Sequence, residues 1–223
     1  MATNTTSVEM CATMTNTDFS SIPEQPWPDK GDKLFASGDD WWHNACLNYS
    51  SDDWELYIGG YKRAGDVLVD LIKETHRDQD FLIFPIVFVY RQYLELRLKK
   101  LIRDCTQLFD EQSDFPKVHD LGKLWIGCRR LLEKLEPKVE PKDLEAVDEC
   151  IQQFCELDPS SESFRYPSNK KGDKSLPSDL KYINVRNLAD VMGKLSSFFE
   201  AGEMMVSVYL DYKHDMERDF GDY

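Results

Sequence analysis

Residues 81–105 read FLIFPIVFVYRQYLELRLKKLIRDC, and this stretch decides the fold. From Phe81 to Tyr90 no charged side chain occurs, and Arg91 then ends the run. An uninterrupted apolar segment of that length is about half of what a bilayer requires. The most apolar stretch of the chain is therefore expected to be the central helix of a soluble bundle. Pro85 fits best in its first turn, where a missing N–H costs nothing. Past the apolar run, Arg91, Glu95 and Lys99 follow at i, i+4 and i+8 and share one face. On a solvated helix they would form two weak ion pairs. Flanked by Tyr90, Tyr93 and Leu94, they are expected to be half buried and in need of partners, either structural pairing or a functional site.

Four further helical segments surround this one. The first runs from about Ser51 to His76, with Ser51 or Asp52 as its cap and Trp54, Ile58, Tyr61, Leu68, Leu71 and Ile72 at helical spacing. Gly59, Gly60 and Gly65 lower its propensity and offer room for a close neighbour. Another starts at His119-Asp120 and runs through Leu121, Leu124, Trp125, Cys128, Leu131, Leu132 and Leu135, with Pro137 as its stop. A shorter helix covers Pro141 to Leu157, with Leu144, Val147, Ile151 and Phe154 on one face. After a Ser-, Lys- and Pro-rich loop at 158–182, the last helix runs from about Asn184 to Lys213. No strand alternation is sustained, although short irregular strands near Ser163–Tyr166 and Lys181–Asn184 fit the pattern. The expected fold is an all-α bundle of four long helices and one short one. Its domain spans residues 41–216, opened by an anchoring turn at Trp41, Trp42 and Leu47. A polar, Pro-punctuated N-terminal tail at 1–40 is too poor in apolar residues to fold alone, though Trp27 and Phe35 could dock. A short C-terminal tail, 217–223, follows.

The chain has 223 residues and a formal net charge of −14. Such acidity disfavours non-specific binding to nucleic acid or anionic membranes. Its distribution is uneven. Residues 81–135 carry ten basic against seven acidic side chains, and residues 165–186 carry six against two. An anion-binding pocket within an acidic shell is compatible with this pattern. No basic and apolar leader opens the sequence. The six cysteines, Cys11, Cys46, Cys105, Cys128, Cys150 and Cys155, form no CxxC pair. They read as free thiols of a cytoplasmic protein.

The basic segments hold two more clusters. His119-Asp120-Leu121 opens a helix, where Asp120 suits the free N–H groups and His119 either is structural or faces a cleft. Phe164-Arg165-Tyr166-Pro167 lies in the long loop, followed by Lys170, Lys171 and Lys174. It is either a Pro-restricted turn in a solvated loop or an Arg reaching an anion with Tyr166 stacked over it. No P-loop, GxGxxG, HExxH or GxSxG motif occurs, and His43, His76, His119 and His214 are scattered. The absence of an ExxH pair argues against a di-iron bundle, so no metal and no cofactor is expected.

Taken in order, YLELRLKKLI, HDLGKLW and RYP before a long final helix resemble the HEPN superfamily (higher eukaryotes and prokaryotes nucleotide-binding). The residues that carry the likeness are Glu95, Leu98 and Lys99; His119, Asp120, Leu121 and Leu124; and Arg165, Tyr166 and Pro167. It spans roughly residues 51–213. The resemblance implies a helical bundle that often dimerises. It also implies either a metal-independent RNase of toxin–antitoxin, phage-defence or RNA-processing systems, or a non-catalytic nucleotide-binding relative. The family's catalytic signature, Arg followed after four to six residues by His, is missing: Arg186 is followed by Val191, Met192 and Gly193.

The expectation is therefore a non-catalytic module that binds a nucleotide, RNA or protein partner. Its ligand-binding residues would be Arg91, Glu95, Lys99, His119, Asp120, Arg165 and Tyr166. The alternatives are a divergent metal-independent RNase with His119 as the catalytic candidate, and an operon scaffold or inhibitor whose acidic surface neutralises a basic partner. A homodimer would use faces rich in Phe and Met, such as Phe198, Phe199, Met204 and Met205, unless these fill the core.

Overall fold

The computed structural model describes residues 27–47, 53–111 and 117–220. These divide into two units, before and after residue 50. Five α-helices make up the second unit: α1 (Asp53–Thr75), α2 (Gln79–Leu108), α3 (Leu121–Leu135), α4 (Pro141–Leu157) and α5 (Val185–Phe220). The all-α bundle expected from the sequence is present.

Helix α2 is the axis of the bundle, and α1, α3 and α5 all pack against it. Between Tyr90 and Ile102 nearly every side chain is buried, including Arg91, Glu95, Arg97, Lys99 and Lys100. A helix surrounded on all sides must be apolar all round or carry charges that its neighbours neutralise. This one does both. Pro85 lies in the second turn rather than the first, because the helix begins six residues earlier, at Gln79. The proline is exposed there, so water can satisfy the backbone carbonyl whose hydrogen bond it removes.

Helices α1 and α2 form a hairpin. The reversal uses left-handed backbone at His76 (φ 54°) and Asp78 (φ 63°), residue types that tolerate this region. Of the three α1 glycines only Gly65 serves close packing. A methyl group there would overlap the Tyr90 ring, whereas Gly59 and Gly60 face open space. The Tyr90 hydroxyl donates to Asp66 Oδ1 at 2.9 Å, and Lys62 holds the same carboxylate at 2.7 Å. The caps expected for α1, Ser51 and Asp52, lie outside the described residues.

Helix α3 buries Leu121, Leu124, Trp125, Cys128, Leu131 and Leu132, the apolar stripe of its sequence. It is latched to α4 where Trp125 Nε1 donates to Asp148 and Arg129 pairs with the same carboxylate. Helix α4 opens with Pro141 at its first position and buries Leu144, Val147 and Ile151.

Helix α5 continues to Phe220, seven residues past the expected end at Lys213. Residues 214–220 contain neither Gly nor Pro to stop it. Lys213 Nζ donates to the carbonyls of Gln107 and Leu108 at 3.0 and 3.3 Å. It thus caps the end of α2, as a cation at a helix C-terminus should. Phe199 is buried and Phe198 half-buried, both edge-on to Trp125. Core packing therefore accounts for the two phenylalanines. Met204 is exposed and Met205 half-buried.

The 158–184 connection contains no strand among its residues. The two short strands expected there are replaced by irregular turns and one isolated bridge, Ser168 to Lys174. Asn169 Oδ1 accepts from Lys171 and Asp173 N–H inside that turn, so a side chain rather than a ladder satisfies the backbone.

In the first unit, residues 27–40 contain only turns and bends, and Trp41–His43 form one 3-10 turn. Trp41 and Trp42 stack with centroids 4.1 Å apart and stay exposed, as do Trp27 and Phe35. The remainder of the polar N-terminal segment and the last three residues lie outside the described residues.

Candidate functional site

The site is built on the stripe of α2. Arg91 is 1% exposed and Glu95 2%, so each must find its counter-charges inside the protein. Arg91 donates from Nη2 to the His119 carbonyl at 2.8 Å and from Nη1 to Glu95 Oε2 at 3.3 Å. Its Nε faces Asp158, 3.4 Å from the carbonyl oxygen and 3.5 Å from Oδ2. Glu95 Oε1 accepts from Lys99 Nζ at 2.9 Å and lies 2.7 Å from His119 Nδ1. Asp158 is also buried, and its Oδ1 accepts the Ser163 N–H at 2.8 Å. Two cations and two carboxylates thus balance, and the knot ties together α2, the entry to α3 and the first turn of the long loop.

His119 is the outward face of this knot. Its side chain is 73% exposed while its Nδ1 is held by Glu95. An ionised carboxylate only accepts, so Nδ1 carries the proton, and Nε2 is left as the ring nitrogen that can bind or exchange one. Asp120, next in sequence, does not join the knot. Its carboxylate accepts from Lys123 N–H at 3.1 Å and caps α3.

Arg165 and Tyr166 sit beside α2, one turn before Arg91. The Arg165 guanidinium lies 5.7 Å from the centre of the Phe88 ring and 5.4 Å from that of Tyr166. Its Nε donates to the Ser161 carbonyl. Its two terminal nitrogens have no hydrogen-bond partner among the described residues. Flanked by two aromatic rings and tethered through one nitrogen, the guanidinium keeps a fork available to a phosphate or carboxylate. A cleft of about 410 Å³ adjoins it, lined by Phe84, Phe164, Arg165, Tyr166, Lys174 and Leu176 among others.

The structure therefore joins Arg91, Glu95, Lys99 and His119 directly and brings Arg165 and Tyr166 to the same helix. Along α2, Phe88 and Glu95 are about 10 Å apart by helical rise. Arg91 and Lys99 are turned toward protein carboxylates, the structural pairing that was one of the two expectations for the stripe. Asp158 and Phe88 are participants that the sequence reading missed. Charge balance was the available signal for Asp158: two buried cations sharing Glu95 need a second carboxylate. Cys155, whose neighbours include Gly122 of α3, is not a poised nucleophile, since burial above all pushes its thiol up. Among the described residues, no group of three His, Cys, Asp or Glu side chains is placed to hold a metal ion. No helix among them is long and apolar enough to cross a membrane.

Comparison with models of protein families, with curated proteins and with solved structures finds no match to this chain.

Proposed function

We propose that this protein is a HEPN-like helical module that binds a nucleotide or an RNA end through His119, Arg165 and Tyr166, without cleaving it. The observation that carries this reading is the division of labour along α2. Arg91, Glu95, Lys99 and Asp158 neutralise one another in the interior, and the groups they position face solvent. His119 supplies a ring nitrogen, Arg165 an unclaimed fork and Tyr166, 54% exposed, a face for a base. Phosphate, ribose hydroxyl and base each find a matching group. A few oriented contacts in an acidic protein suit a small or terminal ligand better than a long phosphate backbone.

The test is a titration of AMP, ATP and short RNAs bearing 5′- or 3′-phosphates, followed by calorimetry. Saturable binding that weakens at least tenfold in Arg165→Ala and in His119→Ala is the expected result. Binding unchanged in both variants, or no binding of any of these ligands, overturns the reading.

One observation favours a second reading, metal-independent RNA cleavage. A histidine whose Nδ1 is fixed by a buried carboxylate is the arrangement of a general acid–base. Arg165 would then stabilise phosphate charge. RNA cleavage by the purified protein in EDTA, abolished by His119→Ala, would establish it in place of simple binding.

A further inference from the structure

A second cleft, of about 720 Å³, opens between the end of α1, the start of α2, the 176–184 segment and the first turn of α5. It shares Phe84, Phe164 and Leu176 with the cleft beside Arg165 but includes neither Arg165 nor Tyr166. Its floor is apolar, with Val69, Ile83 and Phe164 among its residues. Its charged lining is mostly basic: Lys73, Lys181 and Arg186, opposed by the single carboxylate of Asp80. Lys73 is engaged by Asp70 at 3.4 Å. Lys181 and Arg186 have no ion-pair partner among the described residues. Two unneutralised cations beside an apolar floor are conspicuous on a chain of net charge −14.

A narrower cavity of about 290 Å³ adjoins this cleft, and Phe164, Tyr182, Ile183 and Asn184 line both. The narrower cavity is lined by Val87, Leu157, Val191 and Met192 and by the exposed Gln153 and Asn187 among others, and by no charged residue. Side by side, the two place an uncharged, largely apolar surface next to one that carries Lys181 and Arg186. Ligand sites of this size gain affinity from the apolar wall and orientation from a few polar groups. The polarity here matches a molecule with an apolar body and an anionic head.

We propose that these adjoining clefts bind a small anionic amphiphile, its apolar body against Phe164 and the narrower cavity and its carboxylate or phosphate head on Lys181 and Arg186. The site stands apart from the nucleotide reading above, since neither His119, Arg165 nor Tyr166 lines it.

The experiment uses the full chain and anilinonaphthalene sulfonate, an aromatic anion that fluoresces when it leaves water. Saturable binding with one site per chain is expected, displaced by decanoate, by decyl phosphate or by both. Displacement by only one of the two assigns the head group. Decanol and decyltrimethylammonium should compete at least tenfold more weakly. Lys181→Ala with Arg186→Ala should weaken decanoate or decyl phosphate at least tenfold, and both side chains are exposed, so the fold is retained. Arg165→Ala should leave this binding unchanged. No saturable site, equal competition by decanol, or unaltered affinity in the double variant overturns the proposal. Competition by AMP as strong as by decyl phosphate also overturns it, by assigning the cleft to the nucleotide.

Discussion

Glu95 Oε1 and His119 Nδ1 lie 2.7 Å apart although twenty-four residues separate them in the chain. One end of this hydrogen bond is in the core and the other at the surface. The carboxylate is buried among Arg91 and Lys99, while most of the imidazole is solvated. Through it, the charge knot of α2 sets the orientation of a surface group.

That asymmetry separates stability from presentation. Glu95→Gln removes the carboxylate shared by Arg91, Lys99 and His119 and should cost about 3–5 kcal/mol, as breaking a buried pair does. His119→Ala removes an exposed ring and should cost less than about 1 kcal/mol. Urea unfolding of the two variants measures both. In Glu95→Gln, nitrogen NMR of His119 should lose the preference for a proton on Nδ1.

The three glycines of α1 should respond with opposite signs. Gly65→Ala forces a methyl group into the Tyr90 ring and should destabilise by about 1–3 kcal/mol, as overpacking does. Gly59→Ala and Gly60→Ala meet nothing within 4 Å and should stabilise by about 0.5–1 kcal/mol through helix propensity. In a Tyr90→Leu background the cost of Gly65→Ala should shrink, and this non-additivity is the diagnostic measurement.

Thiol labelling of the native protein should divide the cysteines. Cys46 is exposed, whereas Cys105 and Cys128 are buried. Burial pushes the Cys105 thiol up to about 12 and holds Cys128 well above its ordinary value. Thiolate is the reactive form. Peptide mass spectrometry after brief alkylation at pH 8 should find Cys46 modified and Cys105 and Cys128 protected until urea unfolds the bundle.

The same shift makes stability fall in alkali. A thiol whose folded pKa is raised keeps its proton in the native state after the unfolded chain has released it. Stability is therefore complete below the unfolded value, about 8.5, and declines as pH rises toward the folded value of about 12. The slope is at most about 1.4 kcal/mol per pH unit for each such thiol. Lys100 acts in the same direction at higher pH: burial opposes its charge, but hydrogen bonds to Glu203 and Asp104 outweigh it and raise its pKa. Unfolding free energies measured from pH 8 to 11 should fall less steeply in Cys105→Ala than in the parent, even though the variant starts less stable.

Much of the architecture was legible in the chain itself. Helix-period apolar residues outlined all five helices, Pro137 and Pro141 bracketed the α3–α4 turn, and Asp120 announced a cap. The errors fall at helix boundaries. Pro85 is tolerated inside α2 because that turn is exposed, and α5 runs on past Lys213, which is tied to the end of α2. Of the site, the stripe of Arg91, Glu95 and Lys99, His119 and the Arg165–Tyr166 pair were all visible as residues.

Composition and periodicity by themselves determined an all-helical protein with a charged central helix, because a repeat of 3.6 residues and the segregation of apolar side chains are local properties. Which charges are spent inside and which are offered outside was decided only by tertiary structure. In the sequence Arg91 and Lys99 fit structural pairing or a functional site, as Arg165 fits a solvated turn or an anion contact. Asp158, sixty-seven residues from Arg91, and Phe88 beneath Arg165 make the difference. A buried cation must be neutralised by whatever carboxylate folding brings to it, and no spacing rule along the chain specifies that partner.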